Sequence, residues 1–216
     1  MARKEKIINP TFPTVLFDFD GTLFDTSIAD LHSVKGKGLH RLSPEWVEGM
    51  KVYLDYISKS PLYDGWHEVF DYLKANNIQA AIVSGNNRQV INAAVKAHNL
   101  KEIFPKDKVN IIGCYDIKGR RIRKSEGDPS LFLHALKQLD VAPENALAFG
   151  NQFCDAQVAA NAGIKAYHCL WGASADEKEQ MLADKDHLCI TSPLQIIDIL
   201  RSEHTSQSPA IRNTNQ

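Results

Sequence analysis

Two carboxylates, Asp18 and Asp20, stand one residue apart at the end of the apolar run 14–20 and are followed at once by Gly21. A run rich in Val, Leu and Phe favours a buried strand, and the glycine favours a turn after it. Two negative charges so close together repel each other and need a partner, for which a divalent cation is the obvious candidate. The alternative is a strand that ends in a solvated Asp-x-Asp-Gly turn.

A second apolar run, 80–85, ends in the segment Ser84-Gly85-Asn86. A hydroxyl group and backbone N–H groups at a strand end, facing a helix start, suit a bound phosphate. The alternative is an ordinary turn.

Arg88 opens the next predicted helix, where a positive charge gains nothing from the helix dipole. It is therefore a candidate for contact with a second anionic group of the substrate. The alternative is a surface position.

Lys124 lies in a loop shortly before Pro129, which is expected to open a helix. Its ammonium group can therefore reach the same crevice as the residues above. The alternative is a solvated basic run, because Arg121 and Arg123 stand close by in the sequence.

An amide and a carboxylate four residues apart, Asn151 and Asp155, follow the apolar run 146–150 and enter an Ala-rich segment with a helical pattern. Hard oxygen ligands of this kind suit magnesium. The alternative for Asp155 is an ordinary helix cap.

Apolar runs typical of strands recur along the chain, and segments with helical periodicity lie between them. The predicted strands are 14–20, 80–85, 109–114, 146–150, 166–171 and 187–191, and the main predicted helices are 66–76, 88–99 and 129–139. Strands that alternate with helices indicate an α/β fold with a doubly wound parallel sheet. The carboxyl ends of such strands form the ligand crevice, so the polar residues above are expected to meet there.

The segment 27–62 interrupts this alternation and is interpreted as a small helical cap over the crevice, with an amphipathic helix at 44–59. The catalytic core then comprises 1–26 and 63–202. The tail 203–216 is polar, and it is predicted to be disordered.

Composition narrows the class of protein. A chain of 216 residues with 44% hydrophobic content suits one globular domain with a modest insertion. The net charge of −1 gives no electrostatic case for binding nucleic acid or an anionic membrane. No apolar stretch is typical of a transmembrane span or signal peptide, and the four cysteines lack C-x-x-C spacing. These features favour a cytoplasmic protein, and they leave its oligomeric state open.

The order of the motifs, Asp-x-Asp-Gly-Thr, then Ser, then Lys, then Gly-Asn-x-x-x-Asp, resembles the haloacid dehalogenase-like superfamily across residues 14–200. The resemblance implies a Rossmann-like core and an Asp18 nucleophile that forms an aspartyl-phosphate. Asp20 would act as general acid and then as base, while Ser84 and Lys124 hold the phosphoryl oxygens.

The resemblance further implies that magnesium bridges Asp18 and the phosphate, with the backbone carbonyl of Asp20 as a ligand and Asn151 and Asp155 completing the site. Thr22 would support the turn that orients the two acids. Family members that cleave carbon–halogen bonds generally lack a carboxylate at the Asp20 position. The expected activity is therefore magnesium-dependent hydrolysis of a small phosphorylated metabolite.

Two features depart from the family pattern. The usual Lys-Pro-x-Pro reads Lys124-Ser-Glu-Gly, so the lysine loop lacks its stiffening prolines, and Arg123 is the fallback for the cation. Asn151 stands where the family usually has an acid, so the metal site is expected to be one negative charge short. These departures motivate an alternative: a binding or regulatory protein that kept the fold but hydrolyses poorly.

Overall fold

The apolar runs form a single parallel sheet. The computed structural model describes residues 12–34, 37–38, 40, 43–105, 109–117 and 121–207. Within these ranges six strands pair in the order β3-β2-β1-β4-β5-β6. They are β1 Thr14–Phe17, β2 Ala80–Val83, β3 Ile111–Ile112, β4 Ala146–Gly150, β5 Lys165–Cys169 and β6 Cys189–Ile190. Every adjacent pair is parallel.

Eight α-helices flank this sheet in the described residues. They are α1 Ser27–Leu31, α2 Pro44–Lys59, α3 Trp66–Ala75, α4 Arg88–Ala97, α5 Ser130–Leu139, α6 Phe153–Asn161, α7 Ala175–Ala183 and α8 Gln195–Gln207. No helix in the described ranges has the length and apolar character that crossing a membrane requires.

Helices cover both faces of the sheet because side chains alternate along each strand. In β1, Val15 and Phe17 join a buried cluster with α3, α4 and α8. Leu16 points to the opposite face and packs in a second cluster with α5 and α6. The predicted doubly wound α/β fold is confirmed.

Strand β1 lies at the centre of the sheet, between β2 and β4. Its residue Phe17 is in register with Ile82 of β2 and with Phe149 of β4. The chain runs outward from β1 to β3 and then returns to place β4 on the other side. The direction of winding changes beside β1, and such a point opens a crevice at the carboxyl ends of the strands.

Helix α2 begins and ends where the amphipathic pattern predicts. Ser43 caps its N-terminus by accepting a hydrogen bond from the Trp46 N–H at 3.2 Å. Met50, Tyr53 and Ile57 form its buried face. These residues recur at a spacing of three and four, so one face of α2 packs toward α4 and the core.

The predicted boundary of the tail at 203 is wrong, because α8 continues to Gln207. Ile196 and Leu200, four residues apart, are fully buried and anchor this helix to the core. Glu203 accepts a hydrogen bond from the Lys165 ammonium group at 2.6 Å, and His204 stacks on Phe12 at 4.4 Å. The remainder of the predicted tail, 208–216, lies outside the described residues.

Candidate active site

Three of the predicted site residues leave adjacent strands at one edge of the sheet. Asp18 follows β1, Ser84 follows β2 and Asn151 follows β4. The Asp18 N–H donates to the Phe149 carbonyl at 2.9 Å, which continues the β1–β4 ladder to the first acid. The sheet therefore brings together residues that are far apart in the sequence.

Lys124 is the cation that reaches these residues. Its side chain is 7% exposed, and its ammonium group donates to Asp18 Oδ1 and lies 2.5 Å from Asp155 Oδ1. It also contacts the Val83 carbonyl at 3.4 Å. Arg123, the fallback from the sequence, is exposed and pairs with Glu126 at 3.1 Å. Lys124 opens a short 3-10 turn, Lys124–Glu126, in the loop that lacks the prolines of the family pattern.

Burial and neighbouring charge shift both members of this pair. Burial raises the pKa of Asp18 to about 7, with a further rise from Asp155 and a partial offset by Lys124. Burial by itself lowers the pKa of Lys124, but the carboxylates of Asp155 and Asp18 outweigh it and hold that pKa above its ordinary value. Lys124 is therefore charged, whereas ionisation of Asp18 in the folded protein costs free energy.

Asp20 is held from the side by an amide. Asn86 Nδ2 donates to Asp20 Oδ2 at 2.6 Å, and the Asn86 side chain also hydrogen-bonds the hydroxyl of Tyr53 on α2. Asn86 was predicted to bind substrate. In the structure its side chain orients the second acid and links that acid to α2.

The segment 18–22, here called the aspartate loop, is clamped through one carbonyl group. The indole N–H groups of Trp66 and Trp171 both donate to the Thr22 carbonyl, at 3.0 Å and 2.9 Å. Gly21 adopts φ 70°, a left-handed conformation that suits glycine. Thr22, predicted to support the turn and to be a substrate-binding residue, is fully buried in the structure, and its role at the site stays a prediction.

Asn151 joins the aspartate loop to the loop after β5. Thr22 Oγ1 donates to Asn151 Oδ1 at 3.1 Å, and Asn151 Nδ2 donates to the Gly172 carbonyl at 2.9 Å. The two loops are in close contact, since a Cβ on Gly172 would lie 1.7 Å from the Gly21 oxygen. An aspartate at this position has no donor for the Gly172 carbonyl. The amide therefore has a structural use that a carboxylate lacks.

Asp155 has two functions at once. It is the third residue of α6, and its Oδ2 accepts from the Gln152 N–H at 3.0 Å in a capping box. Its Oδ1 faces Lys124. The same carboxylate therefore caps α6 and contacts Lys124, while its role in holding a metal ion stays a prediction.

A cleft of about 260 Å³ opens beside the two acids. Its lining residues are Asp18, Asp20, Gly85, Arg121, Ile122, Arg123, Lys124, Ser125 and Gln152. Ser84 is fully buried, and its Oγ accepts from the Asn86 N–H at 3.0 Å. The residue of the β2 turn that lines the cleft is Gly85.

Arg88 lies in the wall of a neighbouring cavity. It is paired with Asp116 at 2.5 Å, and Asp116 Oδ2 also accepts from the Gly113 N–H at 2.6 Å. The Arg88 side chain is 21% exposed, so the alternative of a solvated surface residue does not hold. The ion pair explains why a cation is tolerated at the start of α4.

The carboxylates near Asp18 are the groups that could attract a cation. Besides burial, Asp155 and Asp20 raise the pKa of Asp18 and Lys124 lowers it, while Arg121 and Arg123 also line the cleft. Across the described residues, no group of three or more His, Cys, Asp and Glu side chains is arranged to hold a metal ion. A divalent ion here would depend on the Asp18 carboxylate with backbone and amide oxygens. Asn151 Oδ1 accepts one hydrogen bond and keeps a second lone pair for such an ion.

Sequence reasoning missed Tyr53, Trp66 and Trp171 as supports of the site. The spacing of Tyr53 with Met50 and Ile57 on α2 signals its burial, but nothing local signals its contact with Asn86. The bonds from the two tryptophans to Thr22 span 44 and 149 residues, so no short motif contains them.

Comparison with known proteins identifies relatives in sequence and in fold. A phosphoglycolate phosphatase of Aquifex aeolicus is 27% identical over 180 residues, covering 73% of this chain and 84% of that protein. The structure of a HAD-superfamily hydrolase from Ehrlichia chaffeensis has a TM-score of 0.60 and 22% identity, covering 91% of this chain and 98% of its own. A HAD hydrolase from Entamoeba histolytica has a TM-score of 0.63 and 20% identity, covering 88% and 99%. These two structures share the fold.

The sequence profile of one family matches residues 34–163, more than half of the chain, and its description is haloacid dehalogenase-like hydrolase. The match includes α2, Ser84, Lys124 and Asp155. The motif order, the central β1 and the buried lysine between two aspartates agree with it. The chain therefore belongs to the haloacid dehalogenase-like hydrolase family.

Proposed function

We propose that this protein hydrolyses phosphate monoesters of small molecules, with Asp18 as the nucleophile. One observation carries the proposal: a buried lysine holds the Asp18 carboxylate at a cleft that Asp20 also lines. A solvated turn needs no buried lysine, and a purely structural ion pair needs no open cleft beside it. The relative named as a phosphoglycolate phosphatase supports the same class of reaction.

In the first step an Asp18 oxygen attacks phosphorus, and the bond from phosphorus to the alcohol oxygen breaks. Lys124, already within contact of Asp18, offsets the negative charge that builds on the phosphoryl oxygens. The Ser84–Asn86 turn would face the same oxygens from the β2 side through Gly85, its residue that lines the cleft. The product of this step is an aspartyl-phosphate and a free alcohol.

Asp20 supplies and then removes a proton. It protonates the leaving alcohol oxygen in the first step, and it accepts a proton from the water that hydrolyses the aspartyl-phosphate in the second. Asn86 holds one oxygen of Asp20 throughout, at 2.6 Å. A fixed carboxylate beside the leaving group avoids the cost of reorienting during the reaction.

We infer that magnesium is the cofactor. The Asp18 carboxylate, the Asp20 carbonyl and Asn151 Oδ1 would hold it, with Asp155 stabilising the arrangement through Lys124. When bound, magnesium would neutralise charge on the phosphoryl group and reduce the repulsion between Asp18 and phosphate.

The experiment is hydrolysis of a panel of phosphate monoesters by purified protein, with magnesium and with chelator. Asp18→Asn removes the nucleophile with little change of shape and is expected to abolish turnover. Asp71→Asn, an exposed carboxylate on α3, is the matched control and should retain full activity. A folded, magnesium-loaded wild type that is inactive on the whole panel would overturn the proposal.

One observation favours a second candidate, a binding or regulatory protein with poor turnover. The Asn151 side chain hydrogen-bonds Thr22 and the Gly172 carbonyl. The family usually has an acid at this position, so the site lacks one negative charge here. Beryllofluoride, a mimic of the aspartyl-phosphate, separates the two functions. Tight magnesium-dependent trapping at Asp18 supports the phosphatase, and absence of trapping in folded protein supports the binding protein.

A further inference from the structure

A second cavity of about 500 Å³, here called the side cavity, adjoins the cleft between α2 and the start of α4. Gly85 and Arg121 line both spaces. A Cβ placed on Gly85 would meet no atom within 4 Å, so the junction between them is open. The cleft has room for a phosphoryl group, and the side cavity lies in the size range of small-molecule sites.

The side cavity lies on the Asp20 side of the cleft. Asn86, which holds Asp20, stands between Gly85 and Asn87, and both of these line the side cavity. Tyr53, bonded to the Asn86 side chain, lines it too. The acid of the reaction must face the leaving oxygen, so a leaving group that is protonated by Asp20 extends toward this space.

The walls of the side cavity combine aromatic and apolar side chains with five polar or charged residues, which are Asn87, Arg88, Gln89, Asp116 and Arg121. Trp46, Tyr53 and Tyr115 contribute rings, and Met50 and Val34 fill the gaps between elements. Aromatic rings offer large contact areas to flat groups, and Met adapts to irregular shapes. This lining favours an unsaturated ring over a short, strongly hydrated chain.

The charged groups in these walls do not favour binding of a second anionic group of the substrate. Arg88 is already paired with Asp116, and Asp116 is bonded in turn to the Gly113 N–H. Arg121 lies 6.0 Å from the centre of the Tyr115 ring, at the junction with the cleft, where it can meet the phosphoryl group itself. A glycolate carboxylate would compete with Asp116 for Arg88.

We propose that the side cavity receives the leaving group, and that the substrate is a phosphate monoester whose alcohol carries a flat, unsaturated ring. The inference rests on the proposed phosphatase function and specifies the class of its substrate. Trp46 is the specificity-determining residue, because it presents its ring from α2 and takes no part in the chemistry.

The test compares benzyl phosphate with ethyl phosphate. Both release a primary alcohol, so their intrinsic reactivity is similar and the ring is the main difference. Wild type should favour benzyl phosphate in kcat/KM by about tenfold or more, chiefly through KM. Trp46→Ala should lose most of this preference through a rise in KM for benzyl phosphate. Val47→Ala, 38% exposed on the same helix and outside the cavity lining, should keep the preference.

A binding measurement separates this inference from the proposed function. Asp18→Asn retains the side cavity, and calorimetry gives its affinity for both esters without turnover. Tighter binding of benzyl phosphate, lost on adding Trp46→Ala, supports the side cavity even if wild type hydrolyses neither ester. Equal affinity for the two esters, or a preference that survives Trp46→Ala in a protein with unchanged thermal unfolding, overturns it. Tyr115→Ala, half exposed on the opposite wall, provides the second variant if Trp46→Ala does not fold.

Discussion

At the scale of single residues, the site gathers negative charges, and the ionised form of Asp18 destabilises the folded protein. The carboxylates of Asp18 and Asp155 contact the buried Lys124 ammonium group, and Asp20 adds a negative charge near Asp18. Folding disfavours the ionised form of Asp18, which is why its pKa rises to about 7. The ionised Asp18 carboxylate, the proposed nucleophile, is therefore a charge that the folded protein tolerates poorly without a cation.

Replacing this charge should stabilise the protein while it removes activity. Asp18→Asn is expected to raise the free energy of unfolding at pH 8 without magnesium by on the order of 1 kcal/mol, because a neutral amide replaces a disfavoured carboxylate. Urea unfolding of wild type and variant gives the difference. Asp71→Asn controls for loss of a carboxylate, and a destabilised Asp18→Asn would contradict the charge argument.

Asn151→Asp should have two opposed effects. Without metal the variant loses the bond to the Gly172 carbonyl and places a carboxylate against it, which costs about 1–3 kcal/mol of stability. With magnesium the added charge strengthens binding of the ion. Urea unfolding across a magnesium titration measures both effects. Magnesium affinity unchanged by the substitution would show that the missing charge does not limit metal binding.

At the scale of elements, loops from distant parts of the chain hold the aspartate loop by close backbone contact. Gly172 approaches Gly21 so closely that no side chain fits between them. Two indole N–H groups fix the Thr22 carbonyl from different elements, one on α3 and one after β5. The geometry of the acids thus depends on segments that contain no catalytic group.

Gly172→Ala tests this dependence. The new methyl group meets backbone rather than a flexible side chain, so the two loops must separate, and kcat should fall by more than about tenfold. Steady-state kinetics on a generic aryl phosphate measures the loss. Gly127→Ala is the control, since a Cβ there meets no atom within 4 Å and only positive-φ strain of about 1 kcal/mol is added.

Buried His168 on β5 makes stability depend on pH. Burial lowers the pKa of His168 from its ordinary value of 6.5, with a further contribution from nearby His187 and a partial offset by Asp155. As pH falls below about 6.5, the unfolded chain takes up a proton that folded His168 resists, so stability is lost in that range.

His168→Phe should reduce this loss, because phenylalanine does not titrate and can stack on Phe153 as His168 does. The measurement is urea unfolding of wild type and variant at pH 7.5 and pH 5.5. Replacement of His67, an exposed histidine on α3, by Gln serves as the control. An equal loss in wild type and His168→Phe would rule out His168 as the cause.

At the scale of the whole molecule, periodicity in the sequence predicts the strands and most helices. Helix α2 forms as its pattern predicts, because Ser43 and the apolar spacing are local signals. The end of α8 is not predictable in this way. The polar residues Glu203 and His204 contact Lys165 and Phe12, which are far away in the sequence and which no local pattern reveals.

In the site, too, local sequence signals predict some features, while others depend on residues far away in the sequence. Parallel strands bring their carboxyl ends together, so the meeting of Asp18 with the residues after β2 and β4 is predictable. The use of the Asn86 and Asn151 side chains is not, since each amide binds a partner more than 60 residues away. A motif gives the type of residue, and the neighbours supplied by the fold decide what its side chain does.

The clamp on Thr22 has a consequence for synthesis in the cell. Trp171 is added to the chain 149 residues after Thr22, which at translation rates of 5–20 residues per second is a delay of roughly 7–30 s. Until then the ribosome carries a nascent chain that already contains Asp18 and Asp20 but in which the aspartate loop is not yet held by both indole groups. Catalytic competence should therefore appear late in translation, once the loop after β5 has left the exit tunnel and docked.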